Sequence, residues 1–307
     1  MNIVFNVNTS GMEGLGATIS SMLRNCRDSS VLKVYILCSR LRTVDKSNIK
    51  RLLRSECFTG EVFLIDYNAN KTFGHLRDFC GDYTTYGKLL IPQLVPEDVV
   101  LYLDSDLIVN LDILELQGFD MKGQPMAAVY GSTVAHVLDR KFMTQKLSWS
   151  EDVPYFNAGI ILFDLAQWRA INMDEKWRQL TRNHPEDFIS HDQTIFNSLS
   201  KGNFTRLPAK FNVAWKPSKE LAEVDNAIIH FVGSPKPWDI FGSVIHAGYG
   251  LWKSYDTAGW AAHYCRPSTR RMRRTWNIRR SLVLLYPAAF NKKLSSQLKR
   301  GFSNEGA

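Results

Sequence analysis

Val99-Val100-Leu101-Tyr102-Leu103 runs without a break into Asp104-Ser105-Asp106 and then into Leu107-Ile108-Val109. Five apolar residues in a row read as a strand buried on both faces. Two carboxylates at its C-terminal end need a reason. An unpaired buried carboxylate is costly, and two held close repel each other. A cation between them removes both objections. Oxygen ligands beside an open coordination position suit Mg2+ or Mn2+, either of which bridges a substrate diphosphate. A solvated turn with two surface acids is the plainer alternative, and the D-x-D spacing alone does not separate the two.

Outward from this strand the chain alternates. Asn2–Val7 is an apolar opening run, and Leu15, Ile19, Met22 and Leu23 mark one helical face in residues 15–25. Leu32–Cys38 is β-rich. Thr43–Leu53 carries Ile49, Leu52 and Leu53 at helical spacing. Glu61–Asp66 reads as a short buried strand, and Thr84–Ile91 as a short helix that stops before Pro92. This alternation predicts an α/β domain with a mostly parallel central sheet, covered on both faces. Ligands in such folds lie beyond the carboxyl ends of the strands, where Asp104 and Asp106 fall. The sequence holds no G-x-G-x-x-G, no Walker loop and no internal repeat.

With 307 residues, 45% hydrophobic and 22% charged, the chain has enough apolar material for one large domain with appendages. No apolar run reaches the roughly 20 residues of a spanning helix. Met1-Asn2-Ile3-Val4-Phe5 lacks the basic start and long apolar stretch of a secretory leader. Cys26, Cys38, Cys57, Cys80 and Cys265 are odd in number and have no C-x-x-C spacing, as expected of reduced thiols in a cytoplasmic protein. The net charge is +8, yet residues 265–307 hold eight Arg and three Lys against one Glu. That segment carries +10 and the rest of the chain −2. We therefore divide the chain into a catalytic domain, 1–264, and a basic amphipathic tail, 265–307.

Three further segments carry chemistry. Ala227-Ile228-Ile229 leads into His230-Phe231-Val232-Gly233-Ser234-Pro235-Lys236-Pro237-Trp238. It offers an imidazole at a strand end, a glycine that allows close backbone approach, and a lysine suited to a diphosphate leaving group. A core-edge histidine before a Pro-Trp turn is the other reading. Tyr155-Phe156-Asn157-Ala158-Gly159 precedes the apolar Ile160–Phe163. Its small residues leave room for a ligand and Asn157 offers an amide, though an ordinary turn into a strand has the same look. His191-Asp192-Gln193 stands at a helix start, where Asp192 serves equally as a cap.

Taken together, Tyr-Leu-Asp-Ser-Asp followed along the chain by the segments at 155–159, 191–193 and 230–238 resembles glycosyltransferase family 8, which includes bacterial lipopolysaccharide hexosyltransferases. The resemblance covers roughly residues 1–260. It implies a GT-A fold and a retaining transfer of a hexose, glucose or galactose, from a UDP-sugar to a saccharide or lipid-linked saccharide, with a lipopolysaccharide core as the natural acceptor. It implies Mn2+, with Mg2+ as the substitute, held by Asp104, Asp106 and His230. By the same resemblance Gly233 and Lys236 contact the diphosphate, and Asn157, Ala158 and Gly159 lie at the donor sugar. Asp192 holds a sugar hydroxyl there. Gln193 lies on the β face of the anomeric carbon, as nucleophile or as stabilising dipole. A neutral amide is a poor nucleophile, which favours same-face attack by the acceptor.

Two positions depart from the family pattern. Asn8 stands where an aspartate is common, and Lys88 where the family has an arginine. Both are assigned to the nucleotide, Asn8 through its amide and Lys88 through charge without a bidentate fork.

In the tail, Arg266 to Arg280 precede the apolar Leu282–Tyr286, with Trp276 and Tyr286 as interfacial residues. This composition suits an anionic membrane surface, at the inner face of the plasma membrane. A solvated tail is the bland alternative. No RNA-binding signature accompanies the arginines, so no nucleic acid is expected. On this reading, deleting 265–307 releases the protein from membranes and leaves donor hydrolysis largely intact. Two other functions compete with transfer. One is a metal-dependent hydrolase or phosphatase with Asp104 as nucleophile, and the other a non-catalytic saccharide-binding relative docked on a membrane.

Overall fold

The computed structural model describes residues 1–217, 224–257 and 259–287. The opening strands β1 (Asn2–Val7), β2 (Lys33–Ser39), β3 (Glu61–Tyr67) and β4 (Val99–Leu103) pair in parallel, in the order β3-β2-β1-β4. After β4 the chain leaves this sheet. Residues 104–106 turn it into β5 (Leu107–Asn110), which belongs to a second, smaller sheet. It returns through β6 (Met126–Thr133), β7 (Pro154–Phe156), β8 (Ile160–Asp164) and β9 (Thr205–Leu207). β8 lies antiparallel between β4 and β6, β7 pairs antiparallel with β6, and β9 pairs parallel with it. Only β7 and β8 are reversed, so the central sheet is mostly parallel. The small sheet joins β10 (Val213–Trp215), β11 (Ala227–Phe231) and β5.

Burial follows the two-residue period of a strand. Ile3, Phe5 and Val7 of β1 and Leu101 and Leu103 of β4 face one apolar cluster, with Met12, Leu15, Ile19 and Met22 of the helix Met12–Asn25. Val4, Val100 and Tyr102 face the opposite cluster, with Tyr86, Phe163, Trp168 and Phe196. Both faces are covered, as continuous apolar strands require.

Two local expectations are corrected. β3 is an edge strand and not a buried one; its residues are exposed or half-buried, and Phe63 is sheltered by stacking on Tyr35 at 4.7 Å. The helix expected over 84–91 is a 3-10 turn, Thr84–Leu90, that runs into a short α-helix, Ile91–Leu94. Pro92 sits inside this second helix rather than beyond its end. It occupies the first turn, where a missing N–H costs nothing.

The helix Trp260–Tyr264 closes the body. The Tyr264 hydroxyl donates to Asp45 and accepts from Asn48, both in the helix Thr43–Ser55. Beyond it the helix Thr269–Asn277 lies back on the body, and residues 279–287 are also helical. The tail residues Phe290, Lys292, Lys293, Leu294, Leu298, Lys299 and Arg300 fall outside the described residues.

Candidate active site

The site forms where the two sheets meet. Asp104 and Asp106 occupy the three-residue step from β4 into β5. Strand pairing then selects their neighbours. β11 runs antiparallel to β5 with His230 opposite Leu107, which brings the imidazole beside Asp106. β8 runs antiparallel to β4 with Ile160 opposite Leu103, and the Asp104 N–H donates to the Gly159 carbonyl at 2.8 Å. Residues far apart in sequence are thus delivered to one point by register alone.

One ligand atom from each of Asp104, Asp106 and His230 lies within 4.8 Å of the other two. His230 Nε2 is 3.3 Å from Asp106 Oδ1, a buried oxygen that makes no hydrogen bond. The Lys236 ammonium sits 2.7 Å from Asp106 Oδ2 and also donates to the Phe231 carbonyl. Burial pushes the Asp106 pKa up, but the adjacent Lys236 ammonium pulls the other way, and the carboxyl lies well below the usual range. At Asp104 burial prevails over Lys88, with Asp106 adding to it, and the pKa rises.

Tautomer and orientation are set by a line of amides. His230 Nδ1 lies 3.1 Å from Asn212 Oδ1, and Asn212 Nδ2 donates to Asn157 Oδ1 at 3.1 Å. The Asn212 oxygen therefore faces the ring and accepts from Nδ1–H. That leaves the Nε2 lone pair directed to the carboxylates, as a ligating imidazole needs. Asn157 Oδ1 also accepts from the Gly159 N–H at 3.0 Å, and Asn157 Nδ2 donates to Gln193 Oε1 at 3.0 Å. Gln193 Oε1 accepts a second bond from the Ala158 N–H at 3.2 Å. The amide oxygen of Gln193 is thus engaged by two donors.

Gly159 is required by space. A Cβ there would lie 2.3 Å from His230 Cε1 and 2.9 Å from Asp104 Oδ2. Gly233 is required by backbone shape, with φ +78°.

Lys88, assigned above to the nucleotide, is placed against the D-x-D turn. It is only 4% exposed, and its ammonium lies 3.1 Å from Asp104 Oδ1, 2.8 Å from Asp192 Oδ2 and 2.9 Å from the Ala158 carbonyl. Burial alone would lower its pKa, but Asp104 and Asp192 raise it and keep it charged. Lys88 ties the D-x-D turn to the His-Asp-Gln segment from behind. Asp192 is the first residue of the helix Asp192–Ser200, with His191 as the cap, and its carboxylate goes to Lys88 and the Thr85 hydroxyl. Asn8 is spent in part on a turn, since its Oδ1 accepts from the N–H groups of Ser10 and Gly11.

Three residues were not legible beforehand. Asn212 orients His230. The Tyr102 hydroxyl donates to Asp104 Oδ1 at 2.5 Å. Asp139, fully buried, accepts from the N–H groups of Ile189 and Ser190 and from the Thr194 hydroxyl, and so holds the segment that carries Asp192 and Gln193.

Around Asp106 the side chains form a cluster that could hold a divalent cation, on three physical grounds. The donor set is two carboxylates and one imidazole with its lone pair inward. Asp106 Oδ1 is buried without a hydrogen bond, and Gly159 gives the His230 ring room to stand beside Asp104. Among the described residues three carboxylates, Asp104, Asp106 and Asp192, also face two ammonium groups, Lys88 and Lys236.

The chain is similar to several known proteins. The family model described as glycosyl transferase family 8 matches residues 2–241. The glycosyltransferase GlyE of Streptococcus pneumoniae is 26% identical over an alignment 264 positions long that covers 79% of this chain and 58% of GlyE. This chain therefore spans little more than half of GlyE. The lipopolysaccharide 1,3-galactosyltransferase of Salmonella typhimurium is 25% identical over an alignment 267 positions long that covers 81% of this chain and 76% of that one. Among solved structures, galactosyltransferase LgtC in complex with donor and acceptor sugar analogues superimposes with a TM-score of 0.67 at 21% identity, covering 88% of this chain and 98% of LgtC. That likeness bears out the expected GT-A-like α/β fold.

Proposed function

The chain belongs to glycosyltransferase family 8, and from that premise we propose that it moves glucose or galactose from a UDP-sugar to a saccharide acceptor with retention of configuration. A lipopolysaccharide core or a similar surface glycan is the acceptor this reading favours, in line with relatives named as lipopolysaccharide galactosyl- and glucosyltransferases. The observation that carries it is the meeting of Asp104, Asp106 and His230 beside the Lys236 ammonium.

Asp104, Asp106 and His230 would hold Mn2+, or Mg2+ in its place. A divalent ion there supplies positive charge for the departing diphosphate. Lys236 adds a fixed charge on the same side, and Gly233 lets the backbone approach. Asn157, Ala158 and Gly159 line the donor sugar, with Asp192 at a hydroxyl. The bond from the anomeric carbon to the β-phosphate oxygen breaks, and the acceptor oxygen bonds to that carbon on the same face. The acceptor's proton passes to the leaving phosphate. Gln193 acts here as a dipole and not as a nucleophile. Its oxygen already accepts from Asn157 and Ala158. Asn8 reads the uracil with its amide. Lys88 serves as the buried counter-charge that spaces Asp104 from Asp192.

The C-terminal segment, 265–307, is assigned to an anionic membrane surface at the cytoplasmic face. Among the described residues no helix is long and apolar enough to cross a membrane. Met272 (63% exposed), Trp276 (66%), Val283 (71%) and Leu284 (78%) accompany the exposed Arg273, Arg279 and Arg280, the composition of an interfacial helix.

UDP release measured with Mn2+, with and without acceptor saccharide, tests the assignment. Acceptor-stimulated release with an α-linked product from an α-linked donor is expected. Release indifferent to acceptor would favour a hydrolase, and nucleotide binding without turnover a saccharide-binding relative.

A further inference from the structure

The tail's positive charge is not all directed outward. Along the helix Thr269–Asn277, Arg270, Arg271 and Arg274 fall on one face and turn to the body. Arg274 makes a bidentate pair with Asp239, Nε to Oδ1 at 2.5 Å and Nη2 to Oδ2 at 2.8 Å. Asp239 Oδ2 also accepts from the backbone N–H of Lys236 at 2.7 Å. Arg271, only 4% exposed, donates through Nη2 to the Trp238 carbonyl. Two arginines of one helix thus hold the segment 236–239 at Trp238 and Asp239, and Asp239 in turn holds its first residue, Lys236, which carries the ammonium next to Asp106.

The same face reaches a second segment. Arg270 donates to the Ser10 hydroxyl at 2.8 Å and pairs with Glu13, whose other oxygen lies 3.8 Å from Arg271 Nη1. Ser10 and Glu13 border the turn that Asn8 builds after β1. Lys236 pairs with Asp106, and a Cβ on Gly11 or Gly14 would lie within 3.1 Å of Ser105, so both segments border the D-x-D and the helix touches both.

We propose that the helix Thr269–Asn277 is a strap on the donor site, and that Arg274, through Asp239, is a positioning residue for Lys236. The inference rests on the reading of Lys236 as the charge on the leaving diphosphate. It replaces the expectation that removal of 265–307 spares donor chemistry. Lys236 carries a flexible four-carbon stem, and a charge at its tip acts only as well as its backbone is held. Asp239 is 7% exposed and has the Arg274 fork on both oxygens, so the carboxylate that holds the Lys236 N–H is itself fixed. Membrane docking of the outward face would leave this inward face in place. One helix then serves two duties through opposite sides.

The test uses the full-length protein and two readouts. The first is backbone hydrogen exchange of the 232–240 segment. Arg274→Gln should raise exchange at the Lys236 amide at least tenfold, whereas Arg273→Gln, on the exposed face, should leave it unchanged. The second is kcat and KM for UDP-sugar hydrolysis. Loss of alignment at the leaving group should lower kcat/KM by roughly 10- to 100-fold. In a Lys236→Ala background the same substitution should cost less than twofold, because the effect passes through that ammonium. Arg274→Lys should restore part of the loss, and circular dichroism at the assay temperature should match wild type. Unchanged exchange overturns the strap. So does raised exchange with unchanged kcat/KM, or an equal loss in both backgrounds. If wild type turns over no sugar nucleotide, the transferase reading falls, and exchange at the Lys236 amide alone then supports or overturns the strap.

Discussion

Gly159→Ala is the smallest change that should disable the site. The residue lies outside the left-handed backbone region, so alanine meets no conformational penalty and the effect is purely steric. The added methyl would stand 2.3 Å from His230 Cε1, 2.8 Å from Nδ1 and 2.9 Å from Asp104 Oδ2. Ordinary contact between carbons is near 3.5 Å, so the imidazole must retreat by roughly 1 Å. It is not free to do so cheaply. His230 is 5% exposed, bonded to Asn212 through Nδ1, and held in β11 against β5. Overpacking of this kind costs about 1–3 kcal/mol of stability. Displacing one ligand by an ångström should weaken Mn2+ binding and lower UDP release by about 100-fold. Calorimetric Mn2+ titration, UDP release and urea denaturation read the three effects. If Gly159→Ala binds Mn2+ within twofold of wild type and keeps its turnover, the steric reasoning is wrong.

Other perturbations follow from single contacts. Lys88→Met leaves Asp104 and Asp192 facing each other without their counter-charge, and should cost about 3 kcal/mol in metal-free urea denaturation; a loss under about 1 kcal/mol would remove Lys88 from its bridging role. His246, 3% exposed between the rings of Trp215 and Phe231, has its pKa lowered to about 4 by burial, with Lys236 adding to it and Asp239 opposing. The unfolded chain therefore takes up this proton near pH 6.5 and the folded one only near pH 4. Stability is full above pH 6.5 and falls as the pH drops toward 4, by roughly 2.5 kcal/mol at pH 4.5 from this group. Denaturation of wild type and His246→Gln at both pH values should show a wild-type-minus-variant difference that shrinks by that amount, and a pH-independent difference would refute it. Arg279→Gln with Arg280→Gln should weaken sedimentation with anionic vesicles by roughly 30-fold, at about 1 kcal/mol per charge, without altering UDP release in solution. Unchanged sedimentation would move the membrane contact elsewhere.

Much of this was legible in the sequence because its signals are local. Val99–Leu103 reads as a doubly buried strand, and both of its faces are indeed covered. Asp104, Asp106 and His230 stand at strand ends, and strand register brings them together. What escaped depends on distant pairing. Asn212 looks like any loop amide until β10 and β11 lie side by side and it meets His230. Lys88 was recognisable as a lysine before the D-x-D, but only the fold puts its ammonium between Asp104 and Asp192. The edge position of β3 was hidden because an apolar run carries no mark of which neighbours are missing. The tail arginines read as uniform charge. The helix sorts them by its period, with Arg270, Arg271 and Arg274 inward and Arg273 outward.

The proposed transfer needs a single ion shared by two strand-end carboxylates and one imidazole. Crystals grown with Mn2+ and UDP, measured at an energy where manganese scatters anomalously, test this most directly. One anomalous peak bonded to Asp104, Asp106 and His230 Nε2, with diphosphate oxygens completing its shell, is the predicted result. A peak elsewhere, or UDP bound with no manganese among these three side chains, would contradict it.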